Sequence, residues 1–440
     1  MVMTAGEIAA SVRAGELDPV QVTKDALDRI AAADGAVGAF RRVRTTEALA
    51  EAAEVAARPD LASLPLAGVP VAVKDVTDVA GEFVSWGSTA GSSAVAAEDG
   101  EIARRLRAAG AVIVGLTRVP ELCIWPMSDA PDGIARNPRN REYASGGSSG
   151  GSASAVAAGL VPIAHGTDGA GSIRLPAAMC GLVGLKPGAD LLGTEGWFGM
   201  SVHGPLATTV ADAALLTSVL AERPELATVE KPLPLRVALS TQVPVTRAPL
   251  AKELAAAVSQ AGSLLAAAGH SVVEAAPKYR LSVILGIAAR WCAGPAEQAA
   301  DFDFGALQRR TRTHVRLGRF FLRAGLIRPS MRDRWIERAT EFFADHDVLV
   351  TPTSGLWPVK AGRWHERSWV ANVLPSSRIG AFTGFWNLAG FPALSVPVGS
   401  DPATGLPTCV QLVTLPGGEA RLLGLAAQLE SANPWPRTSA

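Results

Sequence analysis

Cysteine is scarce. Cys123, Cys180, Cys292 and Cys409 are the only four in 440 residues, and none sits in a CxxC pair. A chain of this length does not need disulfides to hold a core, so reduced thiols in a cytosol are expected. Net charge is also lacking: 41 basic side chains balance 41 acidic ones. That balance removes any overall electrostatic footprint for nucleic acid or an anionic membrane. Charged residues are only 19% and apolar residues 48%, which excludes intrinsic disorder and allows a large core. No apolar run approaches the ~20 residues that span a bilayer. The longest candidate, 153–164, is broken by Gly159 and Pro162. Glu7 and Arg13 stand where an export signal needs an apolar stretch, so a cytoplasmic protein without integral membrane contact is expected.

What is present is alternation of helix and strand signals. Thr4-Ala5-Gly6-Glu7 has the form of a capping box, and Asp18-Pro19-Val20-Gln21 has a similar form with proline at the first helical position. A third helix is expected over 46–57. Gly68-Val69-Pro70-Val71-Ala72-Val73-Lys74 is strand-like and ends in a charge. Residues 101–109 read as a helix stopped by Gly110, and Ala111-Val112-Ile113-Val114 as a short buried strand. An alanine-rich helix is expected over 152–158, strands over 348–350 and 394–398, and a helix over 419–430. Such alternation implies an α/β sheet. Glycine motifs vanish over 225–345, where helical patterns dominate. The expected organisation is one domain over 1–440: N-terminal helices (1–60), a core (61–224), a helical insertion (225–345) and a return to the sheet (346–435).

Two glycine-rich segments carry the candidate chemistry. Gly146-Gly147-Ser148-Ser149-Gly150-Gly151 reads as a linker, a phosphate nest or a catalytic turn. No Lys-Ser/Thr follows the glycines and no GxGxxG follows the first strand, so both nucleotide readings are weak. In Gly166-Thr167-Asp168-Gly169-Ala170-Gly171-Ser172-Ile173-Arg174, a serine follows small residues whose N–H groups can face a developing oxyanion. Such a serine needs a base. His165 and His203 lie near in sequence but form no recognisable triad motif. Lys74 is the other candidate: burial can bring a lysine pKa from about 10.4 towards 7–8, at a cost of ~4 kcal/mol.

Taken together, Lys74, Ser148 and Ser172 in these contexts resemble the amidase signature family. Ser148 and Ser172 are 24 residues apart, the family's spacing. The likeness continues through Pro70-Val71-Ala72-Val73-Lys74-Asp75, Gly181-Leu182-Val183-Gly184-Leu185-Lys186-Pro187, Gly204-Pro205-Leu206 and Thr209-Val210-Ala211-Asp212-Ala213. Near the C-terminus, Asp347-Val348-Leu349-Val350-Thr351-Pro352 and Asn387-Leu388-Ala389-Gly390-Phe391-Pro392 belong to it too. It covers about residues 1–220 and 345–430.

The resemblance implies an α/β/α fold with a large twisted mixed sheet between helices, and a Ser-Ser-Lys triad. Ser172 would be the nucleophile, Ser148 the proton relay on a cis Gly147–Ser148 peptide, and neutral Lys74 the base. Backbone N–H groups of Gly169, Ala170 and Gly171, with that of Ser172, would form the oxyanion hole. Gly147, Thr167, Asp168 and Arg174 would support the loops. No metal or organic cofactor is implied, and a homodimer is the family's habit. Two positions depart from the pattern. Ala170 stands where many members have glycine, and alanine disfavours a positive φ. Arg118 stands where asparagine is common.

The family's substrate pocket is built from 123–128 and 197–203 and the insertion. Here Cys123, Trp125, Met127, Ser149, Trp197 and Phe198 are the candidate substrate-binding residues, with Trp291 and Trp386 as weaker ones. Their aromatic and apolar character points to an apolar or aromatic acyl group, set against simple core filling. The basic stretch 309–338 holds ten arginines against Asp333 and Glu337. Arg312, Arg316, Arg319 and Arg323 share a helical face, read as solvated or as a contact for an acidic partner. The leading reading is a stand-alone amidase on a small carboxamide. The others are a glutaminase subunit of a tRNA-dependent amidotransferase, a carbamate or urea hydrolase on the same triad, and an inactive scaffold.

Overall fold

Successive side chains of a strand point to opposite faces, and in the run ending at Lys74 both faces are buried. Val71 and Val73 enter one hydrophobic core, and Ala72 enters the other. This places the strand inside a sheet covered on both sides. A computed structural model of the chain describes residues 2–194 and 196–439.

The strands are β1 (Phe40–Val43), β2 (Pro70–Lys74), β3 (Val112–Thr117), β4 (Asp129–Ala130), β5 (Gly133–Ile134), β6 (Ile163–Asp168), β7 (Val183–Lys186), β8 (Val202–Ala207), β9 (Arg236–Leu239), β10 (Ser271–Glu274), β11 (Val348–Pro352), β12 (Ala393–Ser400) and β13 (Pro407–Val413). Eleven of them form one sheet in the order β1-β3-β2-β6-β8-β7-β12-β13-β11-β9-β10, and β4 with β5 makes a small hairpin. β2 runs parallel to β3 and β6, whereas β6, β8, β7, β12, β13 and β11 pair antiparallel in turn. The sheet is therefore mixed, with helices on both faces.

The helix signals translate closely. Thr4 and Glu7 close a reciprocal capping box on Ala5–Arg13. Asp18 caps Pro19–Val37 by accepting from Val20 and Gln21, but Gln21 reaches forward to Asp25 instead of back to the cap. The expected helical insertion also supplies β9 and β10, which pair in parallel beyond β11 and end the sheet. Its helices Leu281–Gln298 and Arg309–Arg323 lie against each other. Arg310 departs from a solvated arginine face: it is fully buried, 3.0 Å from Asp129 Oδ1 and 2.8 Å from Asn372 Oδ1. Arg118 is spent on structure as well, donating to the carbonyls of Gly38 and Phe40 and pairing with Asp132 at 2.6 Å.

Candidate active site

Three chain segments converge where parallel β2 and β6 end. The end of β2 delivers Lys74 to the face on which helix Gly150–Ala157 packs. Ser148 lies just before that helix, after a cis Gly147–Ser148 peptide. A Cβ on Gly147 would stand 2.6 Å from the Trp125 carbonyl oxygen, so only glycine lets these backbones approach. Ser128 braces the turn, its hydroxyl donating to the Ser148 carbonyl (3.1 Å) and accepting from the Gly150 N–H (3.0 Å). Beyond β6 the chain turns through 169–173 into helix Arg174–Cys180. Ser172 lies on that turn, and its carbonyl accepts from the Ser149 N–H at 3.2 Å.

Lys74 Nζ lies 2.7 Å from Ser148 Oγ and 2.6 Å from Thr167 Oγ1. The lysine is fully buried, and desolvation lowers its pKa despite the opposing influence of Cys123 and Asp168. Burial pushes the Cys123 thiol up, so it stays protonated beside this amine. His165 Nε2 is 2.8 Å from His203 Nδ1, so the two histidines pair with each other. Burial, then His203 and Lys74, hold His165 well below its ordinary pKa.

The turn is held by Asp168. Its carboxylate accepts from Arg174 Nε (2.9 Å) and Nη2 (3.0 Å), Asn387 Nδ2 (2.9 Å), and the N–H groups of Gly171 (2.6 Å) and Ile173 (3.2 Å). Burial alone would raise its pKa. The charge of Arg174 and the hydrogen bonds from Arg174 and Asn387 outweigh that and hold it well below the carboxylate range. The Gly171 N–H is thus committed to Asp168 and is not available to an oxyanion. Among the described residues, the N–H groups of Gly169, Ala170 and Ser172 have no such acceptor. The left-handed φ falls on Gly171 (126°), and Ala170 keeps a negative φ. Alanine is therefore accommodated at 170 without strain.

Two cavities meet at Ser172. The smaller, about 150 Å³, is lined by Val76, Trp86, Cys123, Ser148, Thr167, Gly169, Ser172, Gly196, Trp197, Ser201, His203 and Gln298. Trp86, Cys123 and Trp197 all carry φ values of 51–54°, a concentration of uncommon backbone at one site. The larger, about 500 Å³, is walled by Trp125, Trp197, Trp291, Phe321, Trp369 and Phe385 among other apolar groups. Among the described residues, Arg378 is its one charged lining residue. Three expected pocket residues line neither cavity. Met127 is buried with Ala144 and Trp364. Ser149 closes hydrogen bonds with the Thr167 backbone. Phe198 stands one residue beyond Trp197 and is absent from both walls. Trp386 is fully buried in the core beside Trp335. Gln298, Trp369 and Phe385 had no motif to announce them, whereas Ser201 falls within the expected 197–203 segment.

The Amidase family model matches residues 21–423, and the chain belongs to that family, the amidase signature enzymes that cleave amide C–N bonds. It is 45% identical over 431 residues to the putative amidase AmiB2 of Mycobacterium tuberculosis, covering 93% of this chain and 91% of that protein. It is 32% identical over 488 residues to a glutamyl-tRNA(Gln) amidotransferase subunit of Chromohalobacter salexigens, covering 98% and 97%. The solved structure of a 6-aminohexanoate cyclic dimer hydrolase complexed with substrate superposes with a TM-score of 0.86 at 28% identity, covering 98% of this chain and 97% of that one. Among the described residues, no helix is long and apolar enough to cross a membrane.

Proposed function

We propose that the protein hydrolyses carboxamides of apolar or aromatic acids through an acyl-enzyme on Ser172. The observation that carries this reading is the buried contact of Lys74 Nζ with Ser148 Oγ at 2.7 Å, in a cavity that Ser148 shares with Ser172. Neutral Lys74 takes the Ser148 proton as Ser148 takes that of Ser172, and Ser172 Oγ attacks the carbonyl carbon. The oxyanion faces the N–H groups of Gly169, Ala170 and Ser172, aimed before the reaction begins. On collapse the C–N bond breaks and Ser148 passes a proton to the departing nitrogen. Water then attacks the ester, delivers its proton to the same relay, and restores Ser172. Asp168, Arg174, Asn387 and Thr167 position the turn and the amine.

The walls of the larger cavity favour an apolar acyl group. Among the described residues, they give the charged ends of glutamine only Arg378 at the exposed rim, which counts against a glutaminase subunit. A carbamate or urea would use the same triad, but the cavity favours carbon on the acyl side. Cytoplasmic residence and a homodimer belong to this proposal as its expected setting. The test is turnover of naphthylacetamide with hydroxylamine present. Ammonia and naphthylacetyl hydroxamate should form together in the wild type and in neither Ser172→Ala nor Lys74→Ala at neutral pH. Ammonia from glutamine alone would favour the glutaminase reading, and full activity in Ser172→Ala would end this one.

A further inference from the structure

The large cavity owes part of its aromatic wall to a histidine that does not line it. Trp125, Trp291 and Trp369 face the cavity from three separate segments: the stretch between β3 and β4, helix Leu281–Gln298 and helix Trp369–Ile379. His314, on helix Arg309–Arg323, is fully buried among them. Its ring centroid lies 4.4 Å from that of Trp291, 5.6 Å from that of Trp125 and 6.4 Å from that of Trp369.

Both ring nitrogens are engaged, and their partners fix which one carries the hydrogen. An indole N–H can only donate, and Trp369 Nε1 lies 3.1 Å from His314 Nδ1. Nδ1 is therefore an acceptor. A carbonyl can only accept, and that of Trp291 lies 2.9 Å from His314 Nε2. Nε2 therefore carries the hydrogen. Only the neutral Nε2–H tautomer meets both demands. Burial favours it by lowering the pKa to about 4, against a smaller opposing effect of the Trp291 carbonyl.

The consequence is an aromatic wall without donors. Trp369 spends its indole N–H on His314, and Trp291 spends its own on the Ile124 carbonyl at 3.1 Å. The Trp125 indole nitrogen is buried away from the cavity space. These three rings thus offer carbon and π surface alone. That suits an apolar or aromatic acyl group and gives a polar one no partner here.

We propose that His314 is a specificity-determining positioning residue for the acyl group: it holds the Trp369 indole N–H away from the cavity and locks Trp369 and Trp291 into one aromatic wall. This rests on the acyl-transfer reading above. His314 touches no substrate atom and exchanges no proton in the reaction.

The test compares two primary amides. Naphthylacetamide has a ring to lay on the wall, and propionamide has none. His314→Phe keeps an aromatic ring and removes both nitrogens. It should raise KM for naphthylacetamide about tenfold with kcat within about twofold, the signature of lost binding without lost chemistry. Its kcat/KM for propionamide should stay within about twofold. His314→Gln again offers one acceptor and one donor, and it should return KM to within about threefold of the wild type. Equal losses on both amides in His314→Phe, an unchanged KM for naphthylacetamide, or a His314→Gln enzyme as weak as His314→Phe would overturn the assignment. If His314→Phe does not fold, hydrogen exchange of the Trp369 indole N–H in the wild type decides, with its resonance assigned by loss in Trp369→Phe. Exchange at least about tenfold slower than that of a free indole supports the bond to His314, and exchange at the free rate overturns it. Binding of naphthylacetic acid, followed by tryptophan fluorescence, separates failure here from failure of the acyl-transfer reading. It should weaken about tenfold in His314→Phe whether or not Ser172 becomes acylated, and the acyl-transfer reading fails only if Ser172 never carries an acyl group.

Discussion

Replacing Asp168 with asparagine keeps the shape of the side chain and removes its charge. Arg174 would then stand fully buried without a counter-charge, and the new amide would direct N–H groups towards existing donors. Breaking one side of a buried ion pair costs about 3–5 kcal/mol. With an unfolding entropy of about 2.1 cal/mol/K per residue over 440 residues, this corresponds to a Tm loss of about 3–5 °C. The effect on activity should be larger in proportion. The 2.6 Å bond from the Gly171 N–H to Asp168 fixes the turn on which Gly169, Ala170 and Ser172 present their N–H groups. Misaiming one oxyanion donor costs about 10²–10³ in kcat. Adding Arg174→Gln should recover part of the Tm, because removing both charges is less damaging than stranding one. The activity should not return, since the turn still lacks its anchor. Calorimetry and steady-state kinetics on the two variants provide the readouts. An Asp168→Asn enzyme with wild-type Tm and kcat would refute the argument that this carboxylate holds the turn.

The remaining predictions concern the same few residues. Lys74 must be neutral to accept a proton, and burial lowers its pKa. Activity should therefore be low where the amine is protonated and rise with pH to a plateau whose midpoint lies below the ordinary lysine value; a pH–rate profile checks this, and the rise should be lost in Lys74→Ala. Gly171 has φ 126°, and a Cβ there would stand 2.5 Å from Thr383 Oγ1. Gly171→Ala should cost about 1–3 kcal/mol of stability from backbone strain alone and lower kcat, as measured by denaturant unfolding and turnover. Ala170→Gly should leave kcat nearly unchanged, because Ala170 already has a negative φ; a large gain would show that the alanine strains the turn.

The segments that carry chemistry were the most legible. Lys74 is a charge closing a fully buried strand, and glycines before Ser148 and within 169–171 mark places where backbone must come close or turn. Those local rules are what the resemblance reads. Commitments between distant residues were not legible. Gly171 offers an N–H in sequence, and only the fold discloses that Asp168 has taken it. Met127 and Trp125 are equally apolar and two residues apart, yet one faces a core cluster and the other the large cavity. Arg310 sits within a basic stretch that reads as surface, and its burial depends on Asp129 far away in the chain. β10 escaped notice because Ser271–Glu274 is a short edge strand, mostly exposed, so it carries no alternating pattern. The pocket walls come from the insertion and from helix Trp369–Ile379, which no local motif connects to Ser172.

The most direct test of the central claim is to treat the purified protein with a fluorophosphonate and locate the adduct by peptide mass spectrometry. The account predicts a single adduct on Ser172 in the wild type and its loss, or a severe slowing of its formation, in Lys74→Ala at neutral pH. An adduct on Ser148 or Ser149, or labelling of Ser172 at the same rate without Lys74, would contradict the proposed relay from Ser172 through Ser148 to Lys74.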